Sequence, residues 1–512
     1  MNDDEEEEHQ QQSQAISRLE DVLQSNKEMI KELLVILIPA DVSAFLWMSA
    51  QSITMMFVGS RLGSDALAQY SVGVMVFNIC GISVITGIGS AMDTTVSQAY
   101  GRDPLSPEIG EALQRALCLC SALVIPCTVF FEFVLVPLQV PIFGETIGAG
   151  SAAFLAWSPI YMVPLLVGAS IRRLMLATRA ADLVAYANAA AFLTSPVANW
   201  LFIDLGVGLG ATSALAAISS FNALAYIALC IWHPKMDCVR TAVWPLSPRA
   251  LEWTEVKTFL ALGIPSMIAM CAEWWAFDMQ QLFTTYVDSD SVAAFGICMT
   301  ALVALFSVAL GVSISCTTLV GNALGANCPI RARQYVRFLI AAGLILSTAA
   351  GIALCVFGDR FVRLFTDNER VRDIAFDTLP IVALCHIGDT IQFSLQGFFR
   401  AVGKQGITAT AVLVTLWLVG LPASAVLCLV AHLGTKGVFL GLLIGFLFEI
   451  PLLAYFMTKW DWTAIALEAS VSKSNETNAI TTSHDGAVDV VVDDMEEMSE
   501  GAALVAITVP SS

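Results

Sequence analysis

Two carboxylates inside an otherwise apolar run call for a chemical explanation. The run is Cys271-Ala272-Glu273-Trp274-Trp275-Ala276-Phe277-Asp278, with Phe259, Leu260 and Pro265 before it and Leu282, Phe283 and Tyr286 after it. A third acid of this kind is Asp389, in Ala383-Leu384-Cys385-His386-Ile387-Gly388-Asp389. An ionisable group at bilayer depth costs about 2.5–3.5 kcal/mol on insertion scales, and such groups mark ion, proton or substrate pathways. A buried carboxyl can take a proton from one side and release it to the other when the helices around it move. An organic cation competes with that proton for the same charge. The pattern points to exchange of cation for proton, with Glu273 as the principal proton and substrate carboxylate, Asp389 assisting and Asp278 as a third.

Spacing sorts the neighbours. Glu273 and Asp278 are five residues apart, about 140° on a helix, so they do not face one narrow cavity. Glu273 and Phe277 share a face, as do Trp274 and Asp278. An aromatic ring beside a buried carboxylate suits a flat organic cation. Trp274 and Phe277 are therefore cavity-lining candidates, although Trp274 and Trp275 also suit plain packing. Asn78, polar in a second apolar segment, and His386, three residues before Asp389, complete the candidates. Glu132 and Glu449 stand alone in apolar runs and read as structural. Asp93, followed by Thr94 and Thr95, reads as fixing a helix end, and Asp41 as interfacial.

The elements that hold these residues are membrane helices. The 512 residues are 57% hydrophobic and 13% charged, against about 25% charged in soluble domains. The chain reads as an all-α polytopic membrane protein. Apolar segments of at least about 20 residues lie near 33–58, 66–97, 111–137, 148–178, 182–205, 210–232, 253–286, 291–323, 331–357, 371–400, 405–431 and 435–458, twelve in all. Basic residues, among them Arg102, Arg172, Arg173, Arg179, Arg240, Arg331 and Arg400, are assigned to the even-numbered connections. The positive-inside rule then places both termini in the cytosol, with the loop around Asp359–Arg372 dissenting.

The expected organisation is an acidic cytosolic tail (1–31, disordered over 1–15), a first lobe (32–232), a cytosolic linker with Pro234, Pro245 and Pro248 (233–252), a second lobe (253–458) and an acidic cytosolic tail (459–512). The net charge of −19 resides largely in the tails, and no basic nucleic-acid footprint is present. The thirteen cysteines show no disulfide or metal spacing. Neither Gly87–Ala91 nor Gly437–Gly441 sits in the strand-to-helix context of a phosphate loop, and soluble-enzyme signatures are missing. The expectation is a monomeric transporter, not an enzyme, in a plasma, vacuolar or other endomembrane, with no cofactor beyond a coupling proton.

The two halves resemble each other. Pro39 answers Pro265 at an offset of 226, Ser97-Gln98-Ala99-Tyr100-Gly101 answers Gly321-Asn322-Ala323-Leu324-Gly325 at 224, and Pro159 and Arg179 answer Pro380 and Arg400 at 221. Six spans per copy make the repeat parallel, two six-helix lobes related by a pseudo-twofold axis along the membrane normal. At the 226 offset Glu273 falls on Trp47, so coupling is expected to be asymmetric.

Several stretches, Met55-Met56-Phe57-Val58-Gly59, Gly87-Ile88-Gly89-Ser90-Ala91-Met92-Asp93-Thr94-Thr95, Val320-Gly321-Asn322-Ala323-Leu324-Gly325, Cys271–Asp278 and Arg400-Ala401-Val402-Gly403-Lys404-Gln405, resemble the multidrug and toxic compound extrusion (MATE) family, eukaryotic branch. The likeness covers roughly residues 32–460. It implies twelve helices in two lobes and a proton-driven antiporter that expels organic cations, drugs or toxins. Glu273 and Asp278 take the positions of the family's seventh-span acids, and Asp389 that of the tenth-span acid. Thr300 stands where animal-type members carry a further acid, and Thr54 where prokaryotic members carry a first-lobe acid. Asn78 takes the polar position of the second span. A lipid-linked oligosaccharide flippase of the same superfamily is the alternative. It would favour basic cavity residues for phosphate, and mid-helix bases are scarce in the sequence reading.

Overall fold

The computed structural model describes residues 2–237, 239–240, 246–366 and 368–471. Among these residues every regular element is a helix. A chain in lipid has no water to satisfy its backbone, so each apolar segment must bond internally. The sequence tail beyond residue 471 and residues 241–245 of the expected linker lie outside the described residues.

The first half runs α1 (Asn2–Leu62), α2 (Ser64–Phe77), a π turn (Asn78–Ile82), α3 (Ser83–Gly89), α4 (Ala91–Arg102), α5 (Pro107–Phe130), α6 (Val136–Ala177), α7 (Ala181–Asn199) and α8 (Ala211–Trp232). The second half runs α9 (Trp253–Thr285), α10 (Ser289–Gly325), α11 (Pro329–Arg363), α12 (Glu369–Val402), α13 (Gln405–Val412), α14 (Leu421–Ala425), α15 (Gly434–Thr458) and the short α16 (Trp462–Ser470).

Three expectations change. Helix α1 begins at Asn2, so it runs through the acidic stretch expected to be disordered. No proline or glycine interrupts it before Pro39. Among the described residues ten helical runs are long and apolar enough to cross a membrane, against twelve expected segments. Segments 111–137 and 148–178 form one run, Pro107–Ala177, that turns at Gly144 (φ 78°, ψ 169°), a backbone that glycine adopts freely. Segment 182–205 lies outside the ten, its apolarity lowered by Asn188 and Asn199. Finally, Arg102, Arg172, Arg173, Arg331 and Arg400 belong to helices α4, α6, α11 and α12, not to connections.

The halves meet along α1, α3, α4 and α6 on one side and α9, α10 and α12 on the other. Glycines set the closest approaches. A Cβ on Gly101 would lie 2.2 Å from the Asn322 carbonyl oxygen, and one on Gly325 would lie 2.1 Å from that of Gln98. Gly101 answers Gly325, and Gln98 answers Asn322, so the contact is reciprocal.

Polar bonds close the same end. Gln98 Nε2 donates to the Ala401 carbonyl at 2.8 Å, Gln405 Nε2 to Thr94 Oγ1 at 2.7 Å, and Thr318 Oγ1 to the Leu176 carbonyl at 3.2 Å. Asp93, read from sequence as a helix-end residue, joins the halves instead. It accepts from Arg173 Nη1 of its own half and lies 4.0 Å from Arg400 Nε of the other.

Candidate functional site

Helix α9 carries Glu273 and is pinned on both flanks. Cys271 Sγ lies 3.3 Å from Ser83 Oγ on α3, and Trp417 Nε1 donates to the Ala272 carbonyl at 2.8 Å. Glu273 is therefore presented from a fixed stretch of backbone, with 4% of its surface exposed.

Gln392 on α12 faces it. Its Nε2 donates to Glu273 Oε1 at 2.7 Å and to Glu449 Oε1 at 3.0 Å. Glu449, on α15 and fully buried, accepts a further bond from Thr415 Oγ1 at 3.1 Å. Asp389, three residues before Gln392 on α12, is buried and within electrostatic reach of Glu273 and Glu449. Two acids from two helices thus share one neutral amide, with a third, Asp389, on the amide's own helix. Among the described residues no group of His, Cys, Asp or Glu is arranged to hold a metal ion.

The same face of α12 continues as a polar stripe. His386, Asp389, Gln392, Gln396 and Arg400 recur at spacings of three, three, four and four, which is one helical face. Arg400 donates to Ser313 Oγ at 2.6 Å, lies beside Asp93 and is within electrostatic reach of Glu273. One helix therefore links the acid cluster to the contact between the halves.

The remaining sequence candidates sit apart from Gln392. Asp278 is only partly buried, on another face of α9 from Glu273. Trp274 and Phe277 are half-buried and pack against hydrophobic clusters, Trp274 against the one shared between halves and Phe277 against that of the second half. Asn78 opens the π turn at Asn78–Ile82 and is partly buried. His386 is fully buried, and neither ring nitrogen has a hydrogen-bond partner among the described residues. Two members of the site escaped the sequence reading. In the sequence Glu449 reads as a lone acid, and the signal Gln392 carries is its three-residue spacing from Asp389.

Residues 39–201 and 265–426 each match the sequence model of the MatE family. The chain belongs to the MatE family. The matched stretches begin at Pro39 and Pro265, the pair that opened the internal repeat. This MATE chain is similar to multidrug and toxin extrusion protein 1 of Homo sapiens, at 25% identity over 476 residues, covering 91% of this chain and 81% of the relative. It is also similar to the protein DETOXIFICATION 49 of Arabidopsis thaliana, at 28% identity over 444 residues, covering 82% of this chain and 83% of the relative. Its fold resembles the crystal structure of a eukaryotic MATE transporter, with a TM-score of 0.80 at 21% identity, covering 86% of this chain and 98% of that one. A Vibrio cholerae MATE transporter in a bent form gives a TM-score of 0.70 at 19% identity, covering 87% and 99%. The MATE chain is a multi-pass membrane transporter and not an enzyme.

Proposed function

We propose that this chain is a proton-coupled antiporter that expels organic cations, drugs or other xenobiotics by alternating access. The observation that carries the reading is the shared amide: Gln392 Nε2 bonds both Glu273 and Glu449, with Asp389 close by. Three carboxyls gathered in low dielectric repel one another when charged, and no arginine or lysine hydrogen-bonds to them among the described residues. A proton or a bound cation relieves the same repulsion, so the two compete. The names of the extrusion relatives support the same reading.

In this reading the helices of 32–232 and of 253–458 form two lobes joined by the 233–252 linker, and they rock about the contact at Gly101 and Gly325. Both termini lie in the cytosol, so that contact closes the cytosolic side. Glu273 is the principal carboxylate, Asp389 assists, and Asp278 is a weaker third. The protein acts as a monomer in a plasma, vacuolar or other endomembrane.

The test is uptake of a radiolabelled organic cation into liposomes holding the full-length chain. An imposed pH gradient is expected to drive uphill accumulation. Accumulation driven by a sodium gradient alone would overturn proton coupling.

A further inference from the structure

The first half holds a charge that the exchange site does not use. Arg172 projects from α6, and its guanidinium carbon lies 5.5 Å from the centre of the Trp47 ring on α1. An arginine over an indole face is held by the ring's quadrupole, which leaves its N–H donors available. Among the described residues, those donors have no hydrogen-bond or ion-pair acceptor. The acid of this region, Asp93, is engaged by Arg173 and Arg400 instead.

The surroundings are polar and fixed. Tyr226 on α8 is within electrostatic reach of Arg172 and donates to Asn188 Oδ1 on α7. Asn188 also accepts from Asn222 Nδ2 at 3.0 Å and donates to Ser43 Oγ at 2.8 Å. Three helices, α1, α7 and α8, therefore hold this wall, and its hydrogen bonds are made within it rather than to the guanidinium.

Trp47 answers Glu273 across the repeat. Where the second half carries that acid, the first thus carries an indole ring with the Arg172 guanidinium over it. A charged arginine within a span is costly unless it has a partner. Its planar fork matches the two oxygens of a carboxylate.

We propose that Arg172, held over Trp47 and beside Tyr226, forms an anion subsite that binds a carboxylate of the transported molecule. The favoured substrates are then organic cations that also bear an acidic group. The inference rests on the antiporter reading and narrows its substrate class.

The experiment uses the full-length chain in liposomes under an imposed pH gradient. The probes are 4-(trimethylammonio)butanoate and its methyl ester, the same cation with and without a carboxylate. Wild type is expected to favour the butanoate about tenfold at equal concentration, and Arg172→Gln to bring that ratio to about one, with Arg172→Lys between them. A ratio that Arg172→Gln leaves unchanged, or a wild type that does not favour the butanoate, overturns the subsite. If the ester also fails to move, the antiporter reading falls; ester uptake without a carboxylate preference sinks the subsite alone. Should Arg172→Gln not fold, wild type decides. The butanoate must inhibit labelled-ester uptake at about tenfold lower concentration than unlabelled ester does, and equal potency overturns the proposal.

Discussion

Glu273 and Glu449, far apart in sequence, accept hydrogen bonds from the same nitrogen, Gln392 Nε2, at 2.7 and 3.0 Å. Glu449 therefore belongs electrically to the exchange site. A hydrogen bond to a charged group is worth about 1.5–3 kcal/mol, so its loss corresponds to roughly ten- to hundredfold. Glu449→Gln is expected to lower pH-driven uptake about tenfold and to flatten its dependence on pH. Glu449→Asp, which keeps the charge, should retain the pH profile. A normal profile in Glu449→Gln would show that Glu449 only packs.

Asp93 is the one acid shared by Arg173 and Arg400 where the halves meet. Removing one member of a buried pair leaves charge uncompensated, at about 3–5 kcal/mol in the fully buried case. Here the side chains of Asp93 and Arg400 are each 18% exposed, so the cost is smaller. Asp93→Asn should loosen this end. A cysteine placed at Ser97 should then react faster with a membrane-impermeant maleimide, and an unchanged rate would count against the latch.

Gly101 faces backbone, which cannot retreat as a side-chain tip can. Gly101→Ala should prevent closure of this end, at an overpacking cost of about 1–3 kcal/mol, and abolish turnover in a folded protein. Gly296 has open space around it, so Gly296→Ala should leave uptake near wild type. Equal activity in the two variants would contradict the role given to the reciprocal glycine contact.

Asp288 caps α10 outside the membrane-spanning helices. Its Oδ1 accepts from the Ser291 N–H at 2.6 Å, and its Oδ2 lies 3.0 Å from Arg370 Nη2. The Ser291 bonds, helped by Arg370, hold its carboxyl below the ordinary carboxylate range. A lowered value means that the stabilisation is present above about pH 4 and is lost as pH falls through the folded-state value. Asp288→Ala should cost about 0.5–2 kcal/mol at neutral pH, read as a lower Tm. The gap from wild type should narrow at pH 3; a gap of equal size at both pH values would contradict the cap.

The spans, the repeat and the two mid-helix acids Glu273 and Asp389 were legible because each leaves a local trace: apolar length, constant offset, or charge in a greasy run. Glu449 left only the last of these, and its partner lies on another helix. The polar stripe from His386 to Arg400 was written in helical spacing, but glutamine and arginine near a helix end do not announce a tertiary role. Asp93 could not be assigned from its neighbours in sequence, since its partners Arg173 and Arg400 are fixed only by packing. Arg172 and Arg173 looked like loop bases because α6 carries them close to its end at Ala177.

The most direct test of the central claim is pH-gradient-driven accumulation of an organic cation in liposomes holding wild type or Glu273→Gln, each shown to be folded and monodisperse. The shared-carboxylate account predicts uphill accumulation that tracks the imposed gradient in wild type and its loss, by about a hundredfold, in Glu273→Gln. Accumulation in Glu273→Gln that still follows the pH gradient would contradict it.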